Sequence, residues 1–305
     1  MAKTHRSDMY PLSLDEGLFL LGNPYFHIYL IRGKDASALV EMGISATADT
    51  VIGQLSSLGV RPDYLIVTHP HSDHIGGLDA LKQAFPCAIV MAGRRAAAFL
   101  EHPKTVESLI QEDRHMSSSM LDRGLVSNRP AIQRSPSLSG CKVITGGDDL
   151  DLGEIKINFM DARGHSPGNI IIHIPGLSAV LASDSLGYRL SGLGFFPIFF
   201  TGYADYVATI DTIESLKPEI LGLAHNCIVR GPDVKKTLQE ARAAAQGMMT
   251  RILHDRRDDE AVVQDMFREY YRDELTLYSG DNILGCCRLI VRRVRDLNDN
   301  RAPLK

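Results

Sequence analysis

The chain has no apolar run approaching the ~20 residues that a membrane-spanning helix requires, so no bilayer anchor is expected. Its opening stretch, Met1-Ala2-Lys3-Thr4-His5-Arg6-Ser7-Asp8, is polar and lacks the apolar core of a secretory signal, which makes cytoplasmic residence the expectation. A C-x-x-C pair is also missing. The five cysteines, Cys87, Cys141, Cys227, Cys286 and Cys287, form an odd set that suits neither a disulfide framework nor a thiolate zinc knuckle, so reduced and mostly buried thiols are expected. Excess positive charge is lacking as well: the formal net charge is -4, which supplies no overall pull towards polyanions. A small-molecule substrate is therefore the expected partner, ahead of nucleic acid.

What is present is ordinary for a globular protein, with 305 residues, 44% hydrophobic and 23% charged. One catalytic domain with a helical appendage is expected. Short β-like runs bounded by turn residues occur at 18–21, 26–31 and 38–41. A helical spacing over 46–58 precedes a short buried strand at 64–67. A helix then begins near Ile75, and residues 88–91 return to strand. The stretch 94–125 is helix-rich and reads as an insertion, followed by a Ser-, Pro- and Gly-bearing loop over 127–140. Strands resume at Lys142 and include 155–160, 170–174 and 179–182. Beyond Gly231-Pro232 the pattern is helical, with candidates at 233–255, 259–271 and 281–297. Two β-rich halves with interleaved helices imply two facing sheets covered by helices.

The chemistry concentrates in Thr68-His69-Pro70-His71-Ser72-Asp73-His74, directly after the strand at 64–67. Imidazoles and carboxylates suit a borderline divalent ion such as zinc. One loop cannot encircle an ion. Three further candidates each follow an expected strand: His165 in Gly164-His165-Ser166-Pro167-Gly168, Asp184 in Ser183-Asp184-Ser185, and His225 in Ala224-His225-Asn226.

These residues resemble the metallo-β-lactamase superfamily, whose H-x-H-x-D-H signature is matched at His69, His71, Asp73 and His74, with His165, Asp184 and His225 following in the family's order. The resemblance spans roughly 18–230. It implies an α/β, four-layer αβ/βα sandwich, here divided as a catalytic domain over 10–230, with its insertion at about 94–125, and a C-terminal helical extension over 231–305. It also implies two divalent ions, zinc foremost with iron or manganese as alternatives. His69, His71 and His165 would hold one, Asp73, His74 and His225 the other, and Asp184 would bridge them. Two contexts depart from the family pattern: Ala224-His225-Asn226 stands where the last His usually lies between two Gly, and Ser183 where Gly usually precedes the bridging Asp.

A smaller likeness lies in Leu39-Val40-Glu41-Met42-Gly43, where Glu41 replaces an Asp common in the superfamily. With the helical tail, this is similar to the branch containing the bacterial quinolone-signal response thioesterase. That branch implies hydrolysis of an ester or thioester of a small organic acid, including acyl-coenzyme A; phosphodiester or RNA cleavage is the alternative, and a regulatory protein keeping the metal site is another. The implied nucleophile is a metal-bound hydroxide, with Asp73 as ligand and catalytic proton acceptor.

Other features admit more than one role. The aromatic run within 190–203 fits an acyl or aryl pocket, a homodimer interface or simple core packing. Met116, Met120 and Leu121 could roof a cleft or pack in the core. Arg288, Arg292, Arg293 and Arg295 could meet a phosphate-bearing substrate, although a solvated, salt-paired helix face is the commoner role. His5, His27, His102, His115, His173 and His254 are read as non-functional, and Cys227 as packing rather than as a ligand.

Overall fold

The structure is a computed structural model and describes residues 9–126 and 132–298. Seven strands form the first sheet in chain order: β1 (Leu12–Asp15), β2 (Leu18–Gly22), β3 (His27–Arg32), β4 (Ser37–Val40), β5 (Tyr64–Val67), β6 (Ile89–Gly93) and β7 (Lys142–Ile144). β1 to β4 run antiparallel, and β4 to β7 are parallel to one another. Next come β8 (Asp149–Asp151), β9 (Lys156–Asp161), β10 (Ile170–Ile174), β11 (Ala179–Ser183), the hairpin β12 (Tyr188–Leu190) and β13 (Gly194–Phe196), then β14 (Ile220–Leu223) and β15 (Ile228–Arg230). Leaving the hairpin aside, these make a six-stranded sheet in the order β15-β14-β11-β10-β9-β8. The helices are α1 (Ala48–Ser57), α2 (Ser72–Ile75), α3 (Leu78–Ala84), α4 (Ala96–Leu100), α5 (Pro103–Asp122), α6 (Tyr203–Ser215), α7 (Pro232–His254), α8 (Asp259–Tyr270) and α9 (Gly280–Asn298).

The continuous apolar run Ile28-Tyr29-Leu30-Ile31 shows how the layers arise. A strand sends alternate side chains to opposite faces, so a strand covered on both sides is apolar throughout. Tyr29 and Ile31 point inward with Val40, Ile66 and Met91 and meet Ile157, Phe159, Ile172 and Leu181 of the second sheet. Ile28 and Leu30 point the other way, onto Val51 and Leu55 of α1 and Leu78 and Leu81 of α3. The far face of the second sheet, with Ile171, Val180 and Leu221, packs on Ile210 and Ile213 of α6 and on Leu238 and Ala241 of α7. The result is the expected α/β order of helix, sheet, sheet, helix, the four-layer αβ/βα sandwich.

The C-terminal helices join this packing. In α7, Val234, Leu238, Ala241, Ala245, Met248 and Ile252 recur at helical spacing on one buried face. Val262 and Met266 of α8 and Ile290 and Val294 of α9 continue the same core. Full burial of such a side chain contributes roughly 1.5–3 kcal/mol.

Several sequence expectations change in detail. The helix expected near Ile75 is two pieces, α2 and α3, parted at Gly76-Gly77, where a Cβ on Gly77 would stand 2.2 Å from the Met42 carbonyl oxygen. The helix-rich insertion is also two helices, broken at His102, whose extended backbone (φ -80, ψ 120) suits the residue before Pro103. Met116 and Met120 are fully buried in the core while Leu121 is 45% exposed, so none of them roofs a cleft. Of the expected loop over 127–140, residues 127–131 lie outside the described residues, as does His5; 132–140 has no helix or strand. Among the described residues no helix is long and apolar enough to cross a membrane.

Candidate metal centre

Five strand ends meet on one edge of the sandwich. β4 delivers Glu41, β5 delivers Thr68 and His69, β9 leads into the loop bearing His165, β11 into Asp184, and β14 into His225. α2 then carries Asp73 and His74 beside His71. The two sheets are joined here by the Ile170 amide, which donates to the Thr68 carbonyl at 3.0 Å. Two of the residues standing where the resemblance expects Gly share a backbone feature. Ser183 (φ +48) and Asn226 (φ +62) both occupy the left-handed region. Gly enters that region freely and Asn more readily than most residues.

All seven residues singled out from the sequence converge as two groups, His69, His71, His165 with Asp184, and Asp73, His74 with His225. In the first, His69 Nε2 lies 3.1 Å from His71 Nδ1 and 3.3 Å from His165 Nε2, and the latter two are 3.2 Å apart. In the second, Asp73 Oδ2 lies 3.4 Å from both His74 Nε2 and His225 Nε2. Asp184 stands between them: Oδ2 is 3.4 Å from His165 and from His74, and Oδ1 is 3.2 Å from His225.

Outer hydrogen bonds aim these rings. His74 Nδ1 donates to Glu41 Oε2 at 2.9 Å, His165 Nδ1 to the Ile198 carbonyl at 3.0 Å, and His225 Nδ1 to the Tyr25 carbonyl at 2.7 Å. Each bond engages Nδ1 and leaves Nε2 facing inward, the arrangement that orients a metal-ligating imidazole. Glu41 also accepts from Thr68 Oγ1 at 2.9 Å.

Burial holds His69 well below the usual imidazole range, with His74, His71 and His165 adding to it. Burial lowers His71 to about 3, and lowers His165 also. In the second group burial works against His74, but Asp73, Glu41 and Asp184 outweigh it and hold it well above the usual value. His225 is raised against the same burial effect, chiefly by Asp184. Burial would raise Asp73 and Asp184, yet His74 and His225 keep both carboxyls below the ordinary range.

A divalent cation fits this donor set. Ligands at ~2.0–2.1 Å around a tetrahedral ion stand roughly 3.3 Å from one another, close to the donor spacings just given. His74 Nε2, Asp184 Oδ1 and His225 Nε2 are buried and make no hydrogen bond, although buried polar atoms are nearly always satisfied. A cation would engage all three.

Four of the seven, His71, Asp73, His165 and Asp184, line a cleft of about 560 Å³, within the usual range for a small-molecule site. Phe196, Ile198 and Phe200 from the aromatic run line it with Leu109 of α5 and Ile283 of α9. The Phe200 ring lies 5.3 Å from that of His165. Phe195 and Phe199, by contrast, are core residues. Cys227 is outside both ligand groups and meets Arg189. The four arginines of α9 are taken: Arg288 pairs with Glu260, Arg292 with Asp296, Arg293 with Asp296 and the Phe200 carbonyl, and Arg295 with Asp259. None of them lines the cleft, whereas His102, set aside in the sequence, does.

Two site residues escaped the sequence reading. Tyr278, between α8 and α9, donates to Asp73 Oδ2 at 2.7 Å. Tyr188 stacks on His225 with ring centroids 4.7 Å apart. Neither has a local motif, and Tyr278 reaches its partner across 205 positions of chain.

Comparisons with known proteins bear on the family and the fold. The chain is 23% identical over 225 residues to the uncharacterized protein YobT of Bacillus subtilis, covering 70% of this chain and 89% of that one. It is 25% identical over 222 residues to the human acyl-coenzyme A thioesterase MBLAC2, covering 67% and 75%. The solved structure of the metallo-β-lactamase family protein TTHA1429 from Thermus thermophilus shares the fold, with a TM-score of 0.66 at 17% identity over 94% of this chain and 95% of that one. The sequence model of one family matches residues 27–225, from the start of β3 to the last expected ligand, and on that match the chain belongs to the metallo-β-lactamase superfamily.

Proposed function

We propose that this protein is a metal-dependent hydrolase of esters or thioesters of small organic acids, with acyl-coenzyme A the leading substrate class. The observation that carries the reading is the meeting of the seven His and Asp donors beside a largely apolar cleft that four of them line. Two divalent cations, zinc foremost, would be held by His69, His71 and His165 and by Asp73, His74 and His225, with Asp184 shared. When bound, such ions lower the pKa of water and polarise a carbonyl oxygen.

The chain's own residues set what reaches those donors. Phe99, Phe200, Ile198 and Leu109 line the approach and suit an acyl group, which they would hold while excluding water. Asp73 and Asp184 both line the cleft and stay ionised. Asp73 is thereby the carboxylate placed to receive a proton when water adds to the carbonyl. Lys104 and His102 are the basic lining residues beyond the ligands, and they would meet a phosphate of a coenzyme A portion. Glu112 and Asp281 on the same walls disfavour a polyanion such as RNA. The likeness to an acyl-coenzyme A thioesterase supports the same choice.

The test is a side-by-side assay of zinc-loaded protein on acyl-coenzyme A and short RNA, with His69→Ala as control. Thioester hydrolysis lost in the variant supports the reading; RNA cleavage alone, or full turnover by metal-free protein, rules it out.

A further inference from the structure

The hydroxyl of Tyr278 comes from the C-terminal helical region, beyond the stretch matched by the family model, yet it ends on a ligand carboxylate. It meets Asp73 Oδ2, the oxygen that faces His74 Nε2 and His225 Nε2 at 3.4 Å each. At 2.7 Å the hydroxyl stands nearer to that oxygen than either ring does. A hydroxyl donating to an ionised carboxylate makes one of the stronger hydrogen bonds in proteins, and it fixes the rotamer of the acceptor.

The turn that carries Tyr278 is itself tied down on both sides. Leu277 is fully buried. The Ser279 amide donates to Glu112 Oε2 at 3.2 Å, and its hydroxyl donates to Glu112 Oε1. Arg123 donates to Thr276 Oγ1 at 2.9 Å. Both partners, Glu112 and Arg123, lie on α5 or at its end, so the insertion and the tail hold the Tyr278 ring between them. That ring stands edge-on to Tyr188, centroids 5.8 Å apart, and Tyr188 in turn stacks on His225. Asp73 and His225, two of the three donors in the second group, are therefore both backed by tyrosines, and the one on Asp73 comes from the tail.

We infer that Tyr278 is a positioning residue for the Asp73, His74 and His225 cation site, so that the docked C-terminal helices complete this half of the centre. The inference rests on the ligand assignment proposed above. It separates the two halves of the site: among the described residues, His69, His71 and His165 receive no hydrogen bond from the C-terminal helices, whereas Asp73 accepts one from the turn after α8. Loss of the outer hydrogen bond leaves Asp73, which lines the open cleft, free to leave its ligating rotamer. Outer hydrogen-bond partners of this kind are worth on the order of 10–100-fold in metal affinity or activity.

The experiment is a Zn2+ titration of metal-depleted, full-length protein in competition with a chromophoric chelator. It compares the wild type, Tyr278→Phe, which keeps the ring and removes only the donor, and Ser279→Ala, which loosens the turn without touching Asp73. The expected result is two equivalents in the wild type. In Tyr278→Phe the first equivalent is unchanged and the second is weakened on the order of 10–100-fold. Ser279→Ala weakens the same equivalent by less, and Co2+ loading shows the loss as a missing second-site absorption band. Unchanged uptake of both equivalents by Tyr278→Phe overturns the inference, as does equal weakening of both, which marks a general structural role. Wild-type protein that takes up no zinc overturns this inference together with the reading beneath it; the Tyr278→Phe outcome alone leaves that reading standing.

Discussion

His74 Nδ1 donates to Glu41 Oε2 at 2.9 Å, with both side chains almost completely buried. Glu41 holds this place with a backbone φ of +70, in a region that costs a non-glycine residue of order 1–2 kcal/mol. Strain of this kind persists where the surroundings over-determine it, commonly at functional sites. Glu41→Ala removes the acceptor of both His74 and Thr68 and leaves a buried N–H unpaired. The expected loss is about 1–3 kcal/mol of stability in denaturant titration. Cation affinity at the second group should also fall, and a variant with wild-type stability and affinity would show that Glu41 does not orient His74.

Gly164 sits one residue before His165 with φ +101, and a Cβ there would stand 2.3 Å from the Tyr206 backbone at the start of α6. Gly164→Ala must push the His165 loop away from α6. A loss of about 1–3 kcal/mol is expected from overpacking, together with weaker cation uptake by the His69, His71 and His165 group. Isothermal titration of metal into the purified variant checks the second part.

The two groups should differ in their proton balance. Burial keeps His69, His71 and His165 below the usual imidazole range, so at pH 7 they are already neutral and a cation displaces no proton from them. His74 and His225 are raised by the nearby carboxylates, so in metal-free protein they hold protons that a cation must displace. Zinc affinity at the second group should therefore rise more steeply as pH increases through neutrality. Proton release measured in weakly buffered solution should accompany the second equivalent more than the first; equal release would contradict the assignment.

Leu109 of α5 lines the cleft together with Phe196, Ile198 and Phe200 of the aromatic run. Leu109→Trp fills part of that space, so kcat/KM for long acyl thioesters should fall by at least about tenfold, equivalent to ~1.4 kcal/mol of transition-state binding, while short ones are spared. A chain-length series of acyl-coenzyme A substrates measures this directly. A uniform change across the series would place the acyl group elsewhere.

Much of this site could be read from the residues themselves. His165, Asp184 and His225 each follow a short apolar strand within a turn sequence, and strand ends on one edge of a sandwich are where ligands can gather. The departures at Ser183 and Asn226 have a reason that sequence does not display, their φ angles; both adopt the backbone that glycine would. Three features stayed hidden for a different reason. Tyr278 meets Asp73 through tertiary packing, with no spacing to announce it. The β12 and β13 strands are three residues each, too short to show an alternation, whereas α6 does carry a helical spacing at Tyr206, Ile210 and Ile213 that the sequence reading passed over. Met116 and Met120 follow a helical stripe that serves core and cleft equally well on paper, and only the packing of α5 shows Leu109 and Glu112 on the cleft side.

The central claim is that seven convergent side chains bind divalent cations on which hydrolysis depends. Its most direct measurement is stepwise return of Zn2+ to metal-depleted protein while bound metal and acyl-coenzyme A hydrolysis are followed together. The expected result is turnover that rises with metal uptake, saturates by two equivalents, and is abolished in Asp184→Ala. Hydrolysis at full rate in chelator with no bound metal would contradict the claim.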